Sequence, residues 1–199
     1  MILAVAIVVS MLIAVLRGGR FAALSRLPLR AGWLAVAAFV IQAFFIYQPP
    51  THRTAGGWGW QETLFAASHL LLSAAVLANR HLKGTMWIGL GLLLNLSVMI
   101  ANGGWMPVTP AAVVQAGHTD LVPSLAPGAR VYSSKNIVLL PEETNLQFLS
   151  DVFVLPRPFP IPSVFSIGDV CIALGALLLI QDAMLKYRDS EGTYSGGKS

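Results

Sequence analysis

Charge is scarce in this sequence. Only 11% of its 199 residues are Asp, Glu, Lys or Arg, against about a quarter in an ordinary soluble domain. Cysteine is nearly absent: Cys171 stands alone. That excludes an intramolecular disulfide, a CxxC pair and any multi-cysteine metal site, and Cys171 reads as a small buried hydrophobe. No dense basic run occurs, so nucleic acid is not an expected partner. Walker A, HExxH and GxSxG motifs are missing, and no GxGxxG opens a helix after a strand. Gly89-Leu90-Gly91 has no weight as a nucleotide motif. No cofactor is expected, and His69 with Asp169 are too few for a metal site.

Long apolar runs are what the sequence has instead. Hydrophobic residues make up 55% of the chain, and the mean hydropathy is +0.68. Five stretches predict helices: Ile2–Leu16, Ala31–Tyr47, Thr63–Leu77, Met86–Ala101 and Ser163–Leu185. A bilayer core takes about 20 mostly apolar residues per helix, so the first and third need flanking residues to span. The expected fold is an all-α membrane protein with five transmembrane helices in a single domain, 1–185. An ordered extracytoplasmic cap is expected over 103–162, and a disordered cytoplasmic tail over 186–199. Arg17 and Arg20 follow the first apolar stretch rather than precede it. This reverses the polarity of a secretory signal, so a retained first helix is expected.

Orientation follows from the basic residues. Arg17, Arg20, Arg26 and Arg30 lie in the first connection, Arg80 and Lys83 in the third, and Lys186, Arg188 and Lys198 in the tail. Placing these inside puts nine positive residues in the cytoplasm and four outside: Arg53, Arg130, Lys135 and Arg157. The N-terminus is then outside and the C-terminus in the cytoplasm. Tryptophan favours the headgroup level, and Trp33 and Trp87 fall at one predicted boundary, Trp58, Trp60 and Trp105 at the other.

The connection 103–162 is too long for a passive linker and too apolar for disorder. Thr109-Pro110 predicts a capped helix closed by Gly117. Glu142 and Glu143 favour a second helix from Pro141, with Leu146, Leu149 and Phe153 on one face. Asn136–Leu140 reads as a short extended segment. Pro156, Pro158, Pro160 and Pro162 predict a stiff, extended approach to the last helix.

Five polar side chains in or beside the apolar stretches are singled out: Gln42, His69, Asn95, Asn102 and Asp169. Such groups are costly in lipid and mark function by default. All five are expected in the outer half, with Asp169 about 9 Å below the outer end of its helix. This predicts a polar pocket for a small molecule or lipid headgroup, with Asp169 in reach of Asn102 or the Gly103-Gly104 backbone. The alternative is that these groups bond one another and anchor the loop. Gly89, Gly91, Gly168, Ala173 and Gly175 favour close helix packing, although no GxxxG match falls in the stretches Met86–Ala101 and Ser163–Leu185.

Three segments carry a resemblance: Asn102-Gly103-Gly104-Trp105-Met106-Pro107, Thr144–Asp151 and Phe165–Val170. Together they resemble a family of bacterial multi-pass membrane proteins classed as a domain of unknown function. The resemblance implies a bacterial cytoplasmic membrane and no catalytic residue. The expected role is a small membrane scaffold or accessory subunit, binding a lipid or partner protein at its outer face. The alternative is an enzyme or carrier acting on a lipid-like substrate in the polar pocket. Membrane lipids are the expected partners, with a membrane protein as a further candidate.

Overall fold

The computed structural model describes residues 2–48 and 58–195, with side chains over 3–48 and 58–186. Arg53 and Lys198, used above for orientation, lie outside the described residues. The chain is mostly helical. The elements are α1 (Ile2–Leu16), α2 (Gly32–Ile46), α3 (Trp60–Ala78), α4 (Thr85–Ala101), β1 (Met106–Val108), α5 (Pro110–Gln115), β2 (Asn136–Val138), β3 (Phe153–Leu155), β4 (Ser163–Phe165) and α6 (Ile167–Ser195). Short 3-10 turns join several of them.

Among the described residues two helices are long and apolar enough to cross a membrane: Trp60–Ala78, and α6 over Ile167–Lys186. The other three apolar helices span 15, 15 and 17 residues, short of the roughly 20 that a bilayer core takes. The expected five membrane-length helices are thus two of full length and three shorter.

The principal helix contacts run in the order α1, α6, α4, α3, α2. The seam between α4 and α6 is made by glycines seven residues apart on each helix. Gly84 faces Gly175 and Gly91 faces Gly168, and a Cβ at any of the four would collide with the facing backbone or with Asn95. Gly84 also caps α4 at φ 86°, a left-handed conformation that glycine tolerates. The α1–α6 seam buries Ala14, Ile180 and Met184. It is stitched by Gln181, which donates to the Ser10 carbonyl at 2.7 Å and accepts from Arg17 at 2.8 Å.

Residues 103–162 fold onto one end of these helices. Strands β1 and β2 pair in parallel, Met106 opposite Asn136 and Val108 opposite Val138. Trp105, Met106 and Ile137 pack with Phe45, Phe65, Val98 and Met99, so the loop and the ends of α2, α3 and α4 share one core. Trp105 is fully buried, with the Arg130 guanidinium 3.6 Å from its ring centre. It is therefore a core residue of the loop, not the headgroup anchor that its position in the sequence suggested. Arg130 also donates to the Phe45 carbonyl at the end of α2. Burial lowers the Arg130 pKa, and Glu62 opposes that shift.

Four local expectations are corrected. The last helix starts at Ile167, because Ser163–Phe165 pairs antiparallel with Phe153–Leu155 instead. The four prolines therefore lie in a hairpin connection, not an extended approach. The amphipathic helix from Pro141 is two separate 3-10 turns, Pro141–Glu143 and Gln147–Leu149. The break is at Asn145 and Leu146, and the φ of Leu146 is 54°. Asn102 holds the Asn145 backbone from both sides, donating to its carbonyl and accepting its N–H, each at 2.8 Å. These bonds replace the helical ladder there. Finally, α6 continues to Ser195, where a disordered tail was expected from Lys186. No proline interrupts it, and Lys186 pairs with Asp182 one turn earlier at 2.5 Å. The expectation for 196–199 lies outside the described residues.

Asn79 repeats the device of Asn102. It ends α3, donates to Arg30 O at 2.7 Å and accepts Arg30 N–H at 2.7 Å. Each asparagine also donates to the carbonyl four residues earlier in its own helix. Asn102→Ala should cost about 1 kcal/mol, the ordinary net worth of a hydrogen bond, concentrated locally. Chymotryptic cleavage around Leu146–Leu149 should quicken several-fold while cleavage elsewhere is unchanged. An unaltered digestion pattern would show that Asn102 does not hold this turn.

Candidate polar site at the head of an apolar groove

Asp169 is the third residue of α6, and its position is set by the helix start. Ser166 Oγ accepts the Asp169 N–H at 3.1 Å, and the Asp169 carboxylate accepts the Ser166 N–H at 3.2 Å. This reciprocal arrangement is a capping box. It places Asp169 in the first turn of α6, rather than deep below its outer end.

The remaining capacity of that carboxylate goes to two partners. Asn95 donates to Oδ1 at 2.8 Å. Lys135, from the loop, reaches both oxygens at 2.9 Å. Lys135 also lies 3.7 Å from Asp151 Oδ1. Asp151 is only 1% exposed, and Asn136 donates to its Oδ2 at 2.7 Å. Two carboxylates thus flank one ammonium. Burial works against the Lys135 charge, but Asp151 and Asp169 outweigh it and hold its pKa above the ordinary value. Burial pushes the Asp151 carboxyl up; Lys135 opposes this and Asp169 reinforces it. One ammonium at 2.9 Å from Asp169 and 3.7 Å from Asp151 serves the first better than the second.

A second polar group joins α2 and α3. Gln42 Nε2 donates to Ser68 Oγ at 3.0 Å and lies 3.5 Å from His69 Nδ1. Ser68 donates in turn to the Phe65 carbonyl. His69 Nδ1 lies 3.0 Å from that same carbonyl. A carbonyl only accepts, so Nδ1 carries the proton.

Gln42, His69, Asn95, Lys135, Asp151 and Asp169 all line one cavity of about 970 Å³. Its walls are helical stripes at spacings of three and four. On α3 they are Phe65, His69, Leu72, Val76 and Asn79; on α4, Thr85, Ile88, Leu92 and Asn95; on α6, Ile172 and Leu179 follow Asp169. From Phe65 to Asn79 the groove follows α3 for about 21 Å. Most of its polar groups gather at the loop end, Asn79 and Thr85 mark the other end, and its middle is apolar.

Four of the five residues singled out from sequence therefore share this cavity: Gln42, His69, Asn95 and Asp169. Asn102 does not. It lines a separate cavity of about 530 Å³ with Trp58, Glu143 and Asn145, because its side chain is turned to the Asn145 backbone. The expected Asp169–Asn102 contact is replaced by Asp169–Asn95. Sequence reasoning missed Lys135, Asp151 and Ser166. Asp151 and Ser166 stand inside the segments that carried the family resemblance. The one lysine between Gly103 and Pro162 was read only as a topology charge.

These features define a class: a mostly helical chain with two membrane-length helices, whose folded loop closes a buried Lys–Asp cluster over an apolar groove. The chain belongs to the family described as "Family of unknown function (DUF5317)", whose model matches residues 26–181. That range holds all three resembling segments and every site residue above, and leaves out α1. No curated protein and no solved structure matches the chain.

Proposed function

We propose that this chain is a multi-pass protein of the bacterial cytoplasmic membrane, acting as a scaffold or accessory subunit that holds a lipid-like molecule in the α2–α3–α4–α6 groove. The observation that carries this reading is the groove itself, long and apolar with a polar cluster at one end. Its size falls within the range of pockets that bury a small amphiphile. Large side chains on α1 and α2 support the membrane setting. Leu12, Val36, Phe39, Val40 and Phe44 are all more than half exposed, an outward surface that suits lipid and not water. In this reading α1, α2 and α4 cross with the help of flanking residues, giving five spans. The loop faces outward, and the C-terminus lies in the cytoplasm with the arginine-rich first connection.

Native mass spectrometry of the gently extracted protein tests the reading. A co-purifying lipid-like mass should be released when the groove is filled by Leu92→Trp. Extraction with no bound amphiphile, from membranes of any composition, would remove the proposal. Orientation has its own check. A cytoplasm-dependent reporter after Ser199 and a periplasm-dependent reporter near Ala126 should both be active. Inactivity of both would invert the topology.

A second reading keeps the groove and makes the protein an enzyme or carrier for a lipid-like substrate. The Lys135–Asp151–Asp169 cluster favours it, since carboxylates around a lysine are able to handle protons. It differs in one outcome: His69→Gln and Asp169→Asn would abolish turnover or transport, whereas a scaffold would tolerate both.

A further inference from the structure

Resting on the groove reading above, we infer that its occupant is a long-chain amphiphile whose head donates hydrogen bonds and carries no negative charge, such as a long-chain alcohol or amine. The argument is an inventory of hydrogen-bonding capacity at the polar end.

Most nitrogen donors there are committed, although Asn95 and Gln42 each keep a second N–H. Lys135 gives its ammonium to Asp169 at 2.9 Å, with Asp151 at 3.7 Å. Asn95 donates to Asp169. Asn136 donates to Asp151. Gln42 donates to Ser68, and this assignment is forced. Ser68 uses its own proton on the Phe65 carbonyl, so its oxygen is left to accept. His69 Nδ1 donates to the same carbonyl.

Three acceptors are left over. The Gln42 amide oxygen and His69 Nε2 meet no hydrogen-bond donor among the described residues, and both residues line the cavity. Asp151 Oδ1 is buried and makes no hydrogen bond among the described residues. Charge points the same way. Two carboxylates face one lysine, so a phosphate or carboxylate head would enter a site already in excess of negative charge. Such like-charge placement is a means of rejecting wrong ligands. A hydroxyl or ammonium head finds acceptors, and its chain finds Leu72, Ile88, Leu92 and Ile172 below.

The test uses the full chain in nonionic detergent, with thermal unfolding measured against four probes of equal chain length: hexadecanol, hexadecylamine, hexadecanoate and hexadecyl phosphate. The alcohol and the amine should stabilise the protein and bind about tenfold more tightly than either anion, the ratio that one good hydrogen bond supplies. Gln42→Leu and His69→Phe should each erase that preference. His69→Gln, which retains an acceptor, should keep most of it. Unliganded melting of each variant shows that it is folded. Tighter binding of the phosphate or the carboxylate would overturn the inference about the head and leave the groove reading standing. Binding of none of the four would overturn both.

Discussion

Lys135→Met should destabilise the protein by about 3–5 kcal/mol, the cost of removing one partner from a buried ion pair. The variant leaves Asp151, 1% exposed, and Asp169 with no ammonium between them. Adding Asp151→Asn and Asp169→Asn should restore most of the loss. Two neutral amides no longer need a counter-charge, and the amide oxygen of the Asp169→Asn change can still accept the Ser166 N–H. Unfolding in mixed micelles titrated with SDS measures both. A single variant within about 1 kcal/mol of the parent would mean that the cluster carries no weight in the fold. The lysine also predicts a pH dependence. Its folded pKa lies above the unfolded value, so its contribution is complete below the ordinary lysine value of 10.5. That contribution is lost as pH rises through the folded value. The parent should therefore loosen at strongly alkaline pH in a step that the triple variant lacks.

The second large effect concerns two glycines on one helix. At Gly91 a Cβ would lie 2.7 Å from Ile172 Cγ1 and 2.9 Å from the Ile172 nitrogen, and against the Gly168 carbonyl oxygen. Backbone does not yield as a side chain does, so Gly91→Ala should cost about 1–3 kcal/mol by overpacking. Gly91→Leu should keep α4 and α6 from seating at all. At Gly89 the same atom meets only Val76 Cγ1 at 3.2 Å. Gly89→Ala should be close to neutral, because alanine's gain of up to about 1 kcal/mol in helix propensity offsets a mild contact. Equal melting temperatures for Gly89→Ala and Gly91→Ala would refute the close backbone seam.

How much of this was legible beforehand depends on range. The five apolar helices were read to within four residues at most ends, because hydrophobicity and local capping act over short distances. Thr109, with its side chain accepting the Ala112 N–H at 3.2 Å, was found for the same reason. Gly91, Gly168 and Gly175 were recognised as packing sites, but Gly84 and the register were not. Pairing 84 with 175 and 91 with 168 joins positions that share no local signal. In the site, polar residues inside apolar runs stood out, so Gln42, His69, Asn95 and Asp169 were found. Lys135 and Asp151 come from a loop of ordinary composition, and only the β1–β2 pairing brings Asn136 and its neighbour Lys135 over α6. Asn102 was misplaced because a C-terminal helix asparagine bonds backbone as readily as side chains. Here the backbone partner lies 43 residues away.

The α1–α6 seam has a consequence for the order of assembly. Ser10 and Arg17 are stitched to Gln181 across 171 and 164 residues. Ribosomes add about 5–20 residues each second, so in the multi-pass reading α1 waits roughly 10–30 s for its main partner. Through that interval its small-residue face, with Ser10 and Ala14, has only lipid, the translocation machinery or another nascent chain to meet. The hydrogen bonds that Gln181 supplies come only after α6 is made. In that reading α1 is fastened only by a helix made long after it.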